Sequence, residues 1–327
     1  MRFCFRTHDV FSRYPLNNFM NSPLVTSLRS AEIGVPNLAE AEAFYTSVWG
    51  LSVVARTATS VYLRGTGADH HLLSLHISDV AEMRMVTLRS DSSEALDEIV
   101  SLTPQQGGTV LSSRTPINEP GGGEAVLLRD PQGRTIRVVC GDVRHAGLPD
   151  HPDQPVRLAH VVLNSENVQI AQPFYENVLG FKLSDRTRMM AFIRIPQPSG
   201  VQGERGDHHS IALADADNNC LNHIAFVMPT LESVMRGGGR MRDAGFGIEW
   251  GPGRHGPGDN AFNYFVGPAG FVIEYTAEVE QVDDSYEVGK PEDWTWPPGR
   301  VDQWGISPPP SASIKAAQRT INFVTTI

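Results

Sequence analysis

The chain has 327 residues, 40% of them hydrophobic, enough for two domains of ordinary size, each with a core of its own. A formal charge of −10 without any long basic run excludes the electrostatic footprint that holds nucleic-acid backbones. No continuous apolar run is long enough for a membrane span, and Cys4, Cys140 and Cys220 lie far apart without a CxxC pair, which argues against a disulfide framework and a thiolate metal site.

The opening MRFCFRTHDVFSRYPLNNF interrupts its few aromatics with Arg, His and Asp, so it carries no signal-peptide core. A soluble, cytoplasmic protein is expected, with residues 1–23 as an N-terminal extension. From residue 24 onward the chain repeats itself. EAEAFYTSVWGL in the first half answers to IAQPFYENVLGF in the second, pairing Phe44 with Phe174, Tyr45 with Tyr175, Val48 with Val178 and Gly50 with Gly180 at one offset of 130. ADHHLLSL (68–75) likewise answers to GDHHSIAL (206–213), and DPQGRTIRVV (130–139) to GPAGFVIEYT (267–276).

Each half reads as a short apolar strand, an amphipathic helix carrying the Phe-Tyr pair, several strands rich in Val, Ile and Leu, and then a strand and helix again. In the second half LAHVVL precedes a helix near 168–179, and NHIAFVM precedes a helix near 230–243. The prediction is an α+β protein of two domains, 24–146 and 157–280, each a doubled βαβββ unit. The polar GDVRHAGLPDHPDQP (141–155) would connect them as an exposed linker between independent cores. Residues 281–327 read as a Pro-rich tail whose Trp294, Trp296 and Trp304 pack onto the body, with PPPS starting a flexible end. The Gly-rich runs GGGE (121–124), RGGGR (236–240) and GPGRHGPGD (251–259) lack the glycine spacing of a nucleotide site and are read as turns and loops.

His160, His223 and Glu274 stand in the apolar strand segments LAHVVL, NHIAFVM and FVIEYT. A buried His or Glu costs several kcal/mol unless paired or metal-bound. Each alone reads equally well as a hydrogen-bonded core His or an ion-paired Glu, but three in one half call for a common explanation. Two neutral imidazoles and one carboxylate on one face of a metal suit a non-haem Fe(II) that keeps its other positions open. The repeat supplies an internal control, for Ser30 falls opposite His160, Arg137 opposite Glu274, and Arg84 or Met85 opposite His223. The first half lacks every ligand.

On AHVVL, HHSIAL, LNHIAF, GRHGPGDNAFNYF and PAGFVIEY, the second half resembles the type I extradiol dioxygenases of the vicinal oxygen chelate superfamily, and the two-half organisation extends the resemblance over roughly residues 24 to 280. The resemblance implies that each pair of βαβββ modules curls into an open, curved barrel, with Fe(II), or Mn(II), only in the C-terminal one, on His160, His223 and Glu274. It implies that His209, in the HSIA context, takes a proton from the diol and later returns one, and that His255 and Tyr264 contact the substrate. Tyr264 falls opposite Leu127 in the first half, so its hydroxyl is peculiar to the second. Because Asp69, His70 and His71 stand at the matching place in the first half, one of His208 and His209 is inherited structure, and His208 is taken as the neighbour.

The implied function is cleavage of a catechol-type aromatic diol with O2 in the breakdown of aromatic compounds, by a homo-oligomer without nucleic-acid or membrane partners. Three readings compete on the same fold: cleavage of a hydroquinone or trihydroxybenzene, a glyoxalase-like isomerase, and a metal-free binding protein. His8, His76, His145 and His151 have no partner constellation and are read as surface or loop residues.

Overall fold

Each long helix begins where the sequence offers a capping side chain. Asn37, Ser92, Asn167 and Thr230 each accept the backbone N–H three residues on, satisfying a donor the helix cannot. The computed structural model of the chain describes residues 24–197 and 205–325. The extension 1–23, with Cys4 and His8, lies outside the described residues.

The first half runs β1 (Ser27–Val35), α1 (Leu38–Ser47), β2 (Ser52–Arg56), β3 (Ser60–Arg64), β4 (Leu73–Ile77), β5 (Glu82–Arg89), α2 (Ser93–Leu102), β6 (Thr109–Pro116), β7 (Glu124–Arg129) and β8 (Thr135–Cys140). These strands form one eight-stranded sheet in the order β2-β3-β4-β1-β5-β8-β7-β6.

The second half repeats the plan. It runs β9 (Arg157–Ser165), α3 (Val168–Leu179), β10 (Lys182–Arg186), β11 (Met190–Arg194), a two-residue β12 (Gly206–Asp207), β13 (Ile211–Asp215), β14 (Leu221–Val227), α4 (Leu231–Asp243), β15 (Trp250–Arg254), β16 (Ala261–Val266) and β17 (Val272–Ala277). Its eight-stranded sheet has the order β10-β11-β13-β9-β14-β17-β16-β15, the first sheet's order transposed. In each sheet two βαβββ modules meet at an antiparallel pair, β1 with β5 and β9 with β14, so the expected doubled unit and open α+β architecture are present. No helix among the described residues is long and apolar enough to cross a membrane.

The buried apolar residues do not divide into two independent cores. One continuous cluster runs through both halves, because each half's first helix packs onto the other's second module. Trp49, just past α1, is fully buried and stacks on Tyr275 of β17 with ring centroids 3.6 Å apart, and its carbonyl accepts the Tyr275 hydroxyl at 2.6 Å. Reciprocally, the Tyr175 hydroxyl of α3 donates to Asp130 of the first half at 3.3 Å. The Phe-Tyr pair thus joins the halves as well as packing its own helix.

RGGGR lies inside α4 instead of in a turn. A Cβ on Gly237 would stand 2.7 Å from the Tyr275 ring, and one on Gly238 would stand 3.0 Å from Asn263. These glycines let the helix approach its sheet closely enough to cover Tyr275, which outweighs their poor helix propensity. GGGE is a turn as expected, with Gly121, Gly122 and Gly123 all at positive φ.

The tail is more ordered than its composition suggests. β18 (Gln281–Val282) pairs with β12, and α5 (Ala312–Ala317) sinks Ile314 against Phe262, Tyr264 and Val272. Beyond α5, Ile321 bridges Leu221 of β14 and Phe323 bridges Met83 of β5, so the segment after PPPS ties the two sheets together. Backbone pairing at both sheets holds residues whose side chains alone predict flexibility.

Replacing Trp49 by Ala removes the indole from the contact between halves and is expected to cost about 3–5 kcal/mol. Urea unfolding followed by far-UV circular dichroism should show one transition at a lower midpoint, with both halves lost together.

Candidate metal centre

The register of three adjacent strands assembles the centre. On β14, Ala225 pairs with His160 of β9 on one side and Glu274 of β17 on the other, which puts all three in one row. His223, two residues earlier on β14, shares that face because side chains alternate along a strand. Val161, Leu163, Ile224 and Ile273 take the opposite face and enter the apolar core. Ala225 offers only a methyl at the centre of the row, where a larger side chain would fill the space between the donors.

The donor atoms converge. His160 Nε2 lies 3.1 Å from Glu274 Oε2, His223 Nε2 lies 3.3 Å from the same oxygen, and the two Nε2 atoms are 3.3 Å apart. Metal–ligand bonds of about 2.1 Å at right angles separate neighbouring donors by about 3.0 Å, so this spacing suits three positions on one face of an octahedral ion. All three residues are buried, Glu274 completely. The donor set therefore fits a divalent cation such as Fe(II) or Mn(II).

Electrostatics prepare the donors in their metal-binding forms. Burial pushes the Glu274 carboxyl up, but the imidazoles of His160, His223 and His255 more than reverse this and hold it well below the usual carboxylate range. Burial brings His223 down to about 4, leaving it neutral near pH 7. His223 Nδ1 lies 2.8 Å from Asn222 Oδ1, so its N–H donates there and Nε2 keeps its lone pair for the centre. The same oxygen accepts from Gln318 of the tail at 2.9 Å.

The other residues singled out from sequence surround the donors. The His209 ring packs on His160 with centroids 4.4 Å apart, and burial holds it well below the usual imidazole range. A Cβ on Gly258 would stand 3.0 Å from His209, so glycine there leaves room for the ring. On another side His255 Nε2 and the Tyr264 hydroxyl are 3.0 Å apart, with His255 Nε2 3.8 Å from Glu274 Oε1. Burial raises the Tyr264 hydroxyl well above the usual phenol range. His208 points away, its Nε2 2.8 Å from Asp185 Oδ2.

His160, His223, His209, His255 and Tyr264 all line one cavity of about 320 Å³. A larger cleft of about 510 Å³ between the halves contains none of these residues. Its Arg89 and Arg157 are already paired with Asp69 and Asp207 at 2.8 and 2.5 Å.

Register settles the first-half counterparts. Ser30, Met85 and Arg137 hold the places of His160, His223 and Glu274, and Thr87 that of Ala225. Arg137 donates to Glu32 at 2.7 Å and to Glu119 at 3.2 Å, so a guanidinium supplies the positive charge on that side. Sequence reasoning did not single out Asn222, Gln318, Asp185 or the cavity's Trp250. Asn222 stands beside a named ligand, whereas Gln318 and Asp185 meet the site only through long-range folding.

Comparison with known proteins identifies the family. The family model described as the Glyoxalase/Bleomycin resistance protein/Dioxygenase superfamily matches residues 157–275, which include all three donors. The crystal structure of a Mn(II)-bound glyoxalase from Novosphingobium aromaticivorans is 34% identical, superposes with a TM-score of 0.80, and is matched over 93% of its length and 88% of this chain. The chain belongs to the glyoxalase/bleomycin resistance/dioxygenase superfamily. Within that superfamily it is 34% identical over 162 residues to metapyrocatechase 2 of Cupriavidus necator, covering 47% of this chain and 46% of the relative, about half its length. It is also 24% identical to a manganese-dependent 2,3-dihydroxybiphenyl 1,2-dioxygenase of Geobacillus genomosp. 3, over 71% of this chain and 78% of the relative.

Loading the purified chain with Fe(II) or Mn(II) under argon and measuring metal by plasma mass spectrometry should give one ion per chain. Glu274→Ala should abolish that binding, whereas Ser30→Ala should leave it unchanged. Two ions in the parent protein, or retention in Glu274→Ala, would place the metal elsewhere.

Proposed function

We propose that the chain is an extradiol dioxygenase that opens the ring of a catechol-type aromatic diol with O2, using Fe(II), or Mn(II), held by His160, His223 and Glu274. The observation that supports this reading most is the cluster of His160, His223 and Glu274, whose two imidazoles line a cavity together with His209, His255 and Tyr264. Names of the relatives support it too, since metapyrocatechase 2 and the dihydroxybiphenyl dioxygenase bear ring-cleavage names. A redox-active ion bound there supplies electron transfer between diol and O2.

The chain's own groups divide the remaining work. His255 and Tyr264, hydrogen-bonded to each other on the Glu274 side, bind and orient a diol oxygen. The neutral His209 imidazole, on the His160 side, takes one diol proton and returns it when the O–O bond breaks. Burial of the donors and of His209 excludes bulk water from the reacting atoms.

The walls indicate what the ring carries. Met189, Met190, Phe192, Trp250, Trp296 and Val301 line the cavity, and no Lys, Arg or Asp among the described residues does so. The exposed Met189 and Trp296 at the mouth suit an apolar substituent that reaches outward. A carboxylate placed among these walls would be desolvated without a partner, so a neutral alkyl- or aryl-substituted diol should exceed its carboxylated analogue in kcat/KM by roughly 100-fold. Steady-state kinetics with such a matched pair checks this, and equal values would remove the apolar-wall argument.

The name of the Novosphingobium structure favours one alternative, a glyoxalase-like isomerase. Oxygen uptake separates the two. Anaerobically purified, Fe(II)-loaded protein should consume O2 in step with formation of a yellow ring-fission product, and His160→Ala should do neither. Bound iron without uptake on any catechol would turn the reading toward isomerisation or toward a hydroquinone or trihydroxybenzene substrate, and a chain that binds no metal would be a binding protein.

A further inference from the structure

A chain of hydrogen bonds runs from the tail into the cavity behind His209. Asp185, on β10 and fully buried, accepts the Gly289 backbone N–H at 2.9 Å, the Tyr286 hydroxyl at 3.3 Å and His208 Nε2 at 2.8 Å. Gly289 permits this approach, since a Cβ there would stand 2.4 Å from the Asp185 carboxylate. His208, also fully buried, places its Nδ1 3.1 Å from Nδ1 of His209. His209 Nε2 is then the ring nitrogen left for the cavity that the ring lines.

The bonds determine where each proton sits. An ionised carboxylate only accepts, so His208 donates to Asp185 from Nε2 and, as the neutral imidazole, offers a lone pair at Nδ1. His209 must fill that lone pair with its Nδ1 proton. Its Nε2 is therefore left unprotonated, as a base facing the reacting atoms. When His209 takes a proton there, the Asp185 carboxylate stabilises the new positive charge through His208, as a buried carboxylate orients and stabilises a catalytic imidazole.

The duplication shows which parts of this chain were added. His70 and His71 keep the same contact in the first half, Nδ1 to Nδ1 at 2.9 Å. There His71 Nε2 is blocked by the Arg29 guanidinium at 2.6 Å. At the place of Arg29 the second half has Ala159, which opens Nε2 to the cavity. At the place of Asp185 the first half has Ala55, as the pairings of Ala55 with Tyr62 and of Asp185 with Phe192 establish. The histidine pair is common to both halves. Its carboxylate anchor, and the Tyr286 that supports it from the tail, belong only to the half with the metal donors.

We propose that Asp185, acting through His208, is a positioning residue that holds His209 in the tautomer with a free Nε2, with Tyr286 and the Gly289 backbone keeping the carboxylate in place. The proposal rests on the extradiol reading for its catalytic consequence but not for the tautomer itself.

Asp185→Asn tests it, because the amide keeps the shape and can turn a donor toward His208 Nε2. The protons then reverse, and His209 presents an N–H to the cavity. In full-length protein loaded with Zn(II), long-range 1H–15N spectra of the imidazoles should show His209 Nε2 unprotonated in the parent and protonated in Asp185→Asn. With Fe(II), kcat of the variant should fall by roughly 100- to 10,000-fold while KM for the diol and metal content stay within about twofold. Tyr286→Phe, which removes one donor to the carboxylate but leaves the Gly289 and His208 donors on it, should keep the parent tautomer and lower kcat less than Asp185→Asn does. A parent spectrum with His209 Nε2 protonated, or an Asp185→Asn protein with undiminished kcat, overturns the proposal. Should Asp185→Asn fail to fold, the parent spectrum still decides, and a parent enzyme inactive on every diol would refute the reaction while leaving the tautomer measured.

Discussion

The constraint on which the second half depends is the complete burial of Glu274. A carboxylate removed from water must have positive charge or strong donors around it, and Arg and Lys do not supply them here. Three imidazoles surround it and Asn260 donates to it, and on the proposed reading a shared cation lets two of the imidazoles and the carboxylate point their lone pairs at one place. That demand accounts for features that otherwise look unrelated: the small Ala225 in the row, the Asn222 that fixes His223, and the strand register that spreads the donors over β9, β14 and β17.

The first half answers the same problem by other means. It inherited the same sheet and the same concave place, yet Arg137 is there with Glu32 and Glu119 around it. A guanidinium carries its own positive charge and fills the volume a metal site would need, so that copy is sealed by an ion pair. Its remaining role is architectural: Trp49 covers Tyr275 on the back of the strand that carries Glu274, and so holds that strand from behind.

Much of this was legible in the sequence because the duplication doubled every signal. The βαβββ order followed from the apolar segments and the Phe-Tyr helices, and the donors showed as polar residues interrupting LAHVVL, NHIAFVM and FVIEYT. The rest was hidden for physical reasons. Independent cores were expected because the linker is polar, but helices crossing to the other half leave no local trace. RGGGR looks like a breaker because propensity is local, whereas its glycines answer to Tyr275 across the interface. The end after PPPS looks flexible because its anchoring is by backbone pairing at Met83 and Leu221, which no side chain announces.

The tail has a consequence for when the centre can mature. Gln318 completes the hydrogen bonding of Asn222, which in turn aims His223, while Ile321 pairs with the strand that carries both. Synthesis runs from the N-terminus, and earlier segments can begin folding as they emerge. Gln318 follows His160, His223 and Glu274 in the chain and so is made after all three. Until Gln318 is in place Asn222 lacks one of its donors, so on the proposed reading the aim of His223 at the centre depends on the tail as well as on the sheet.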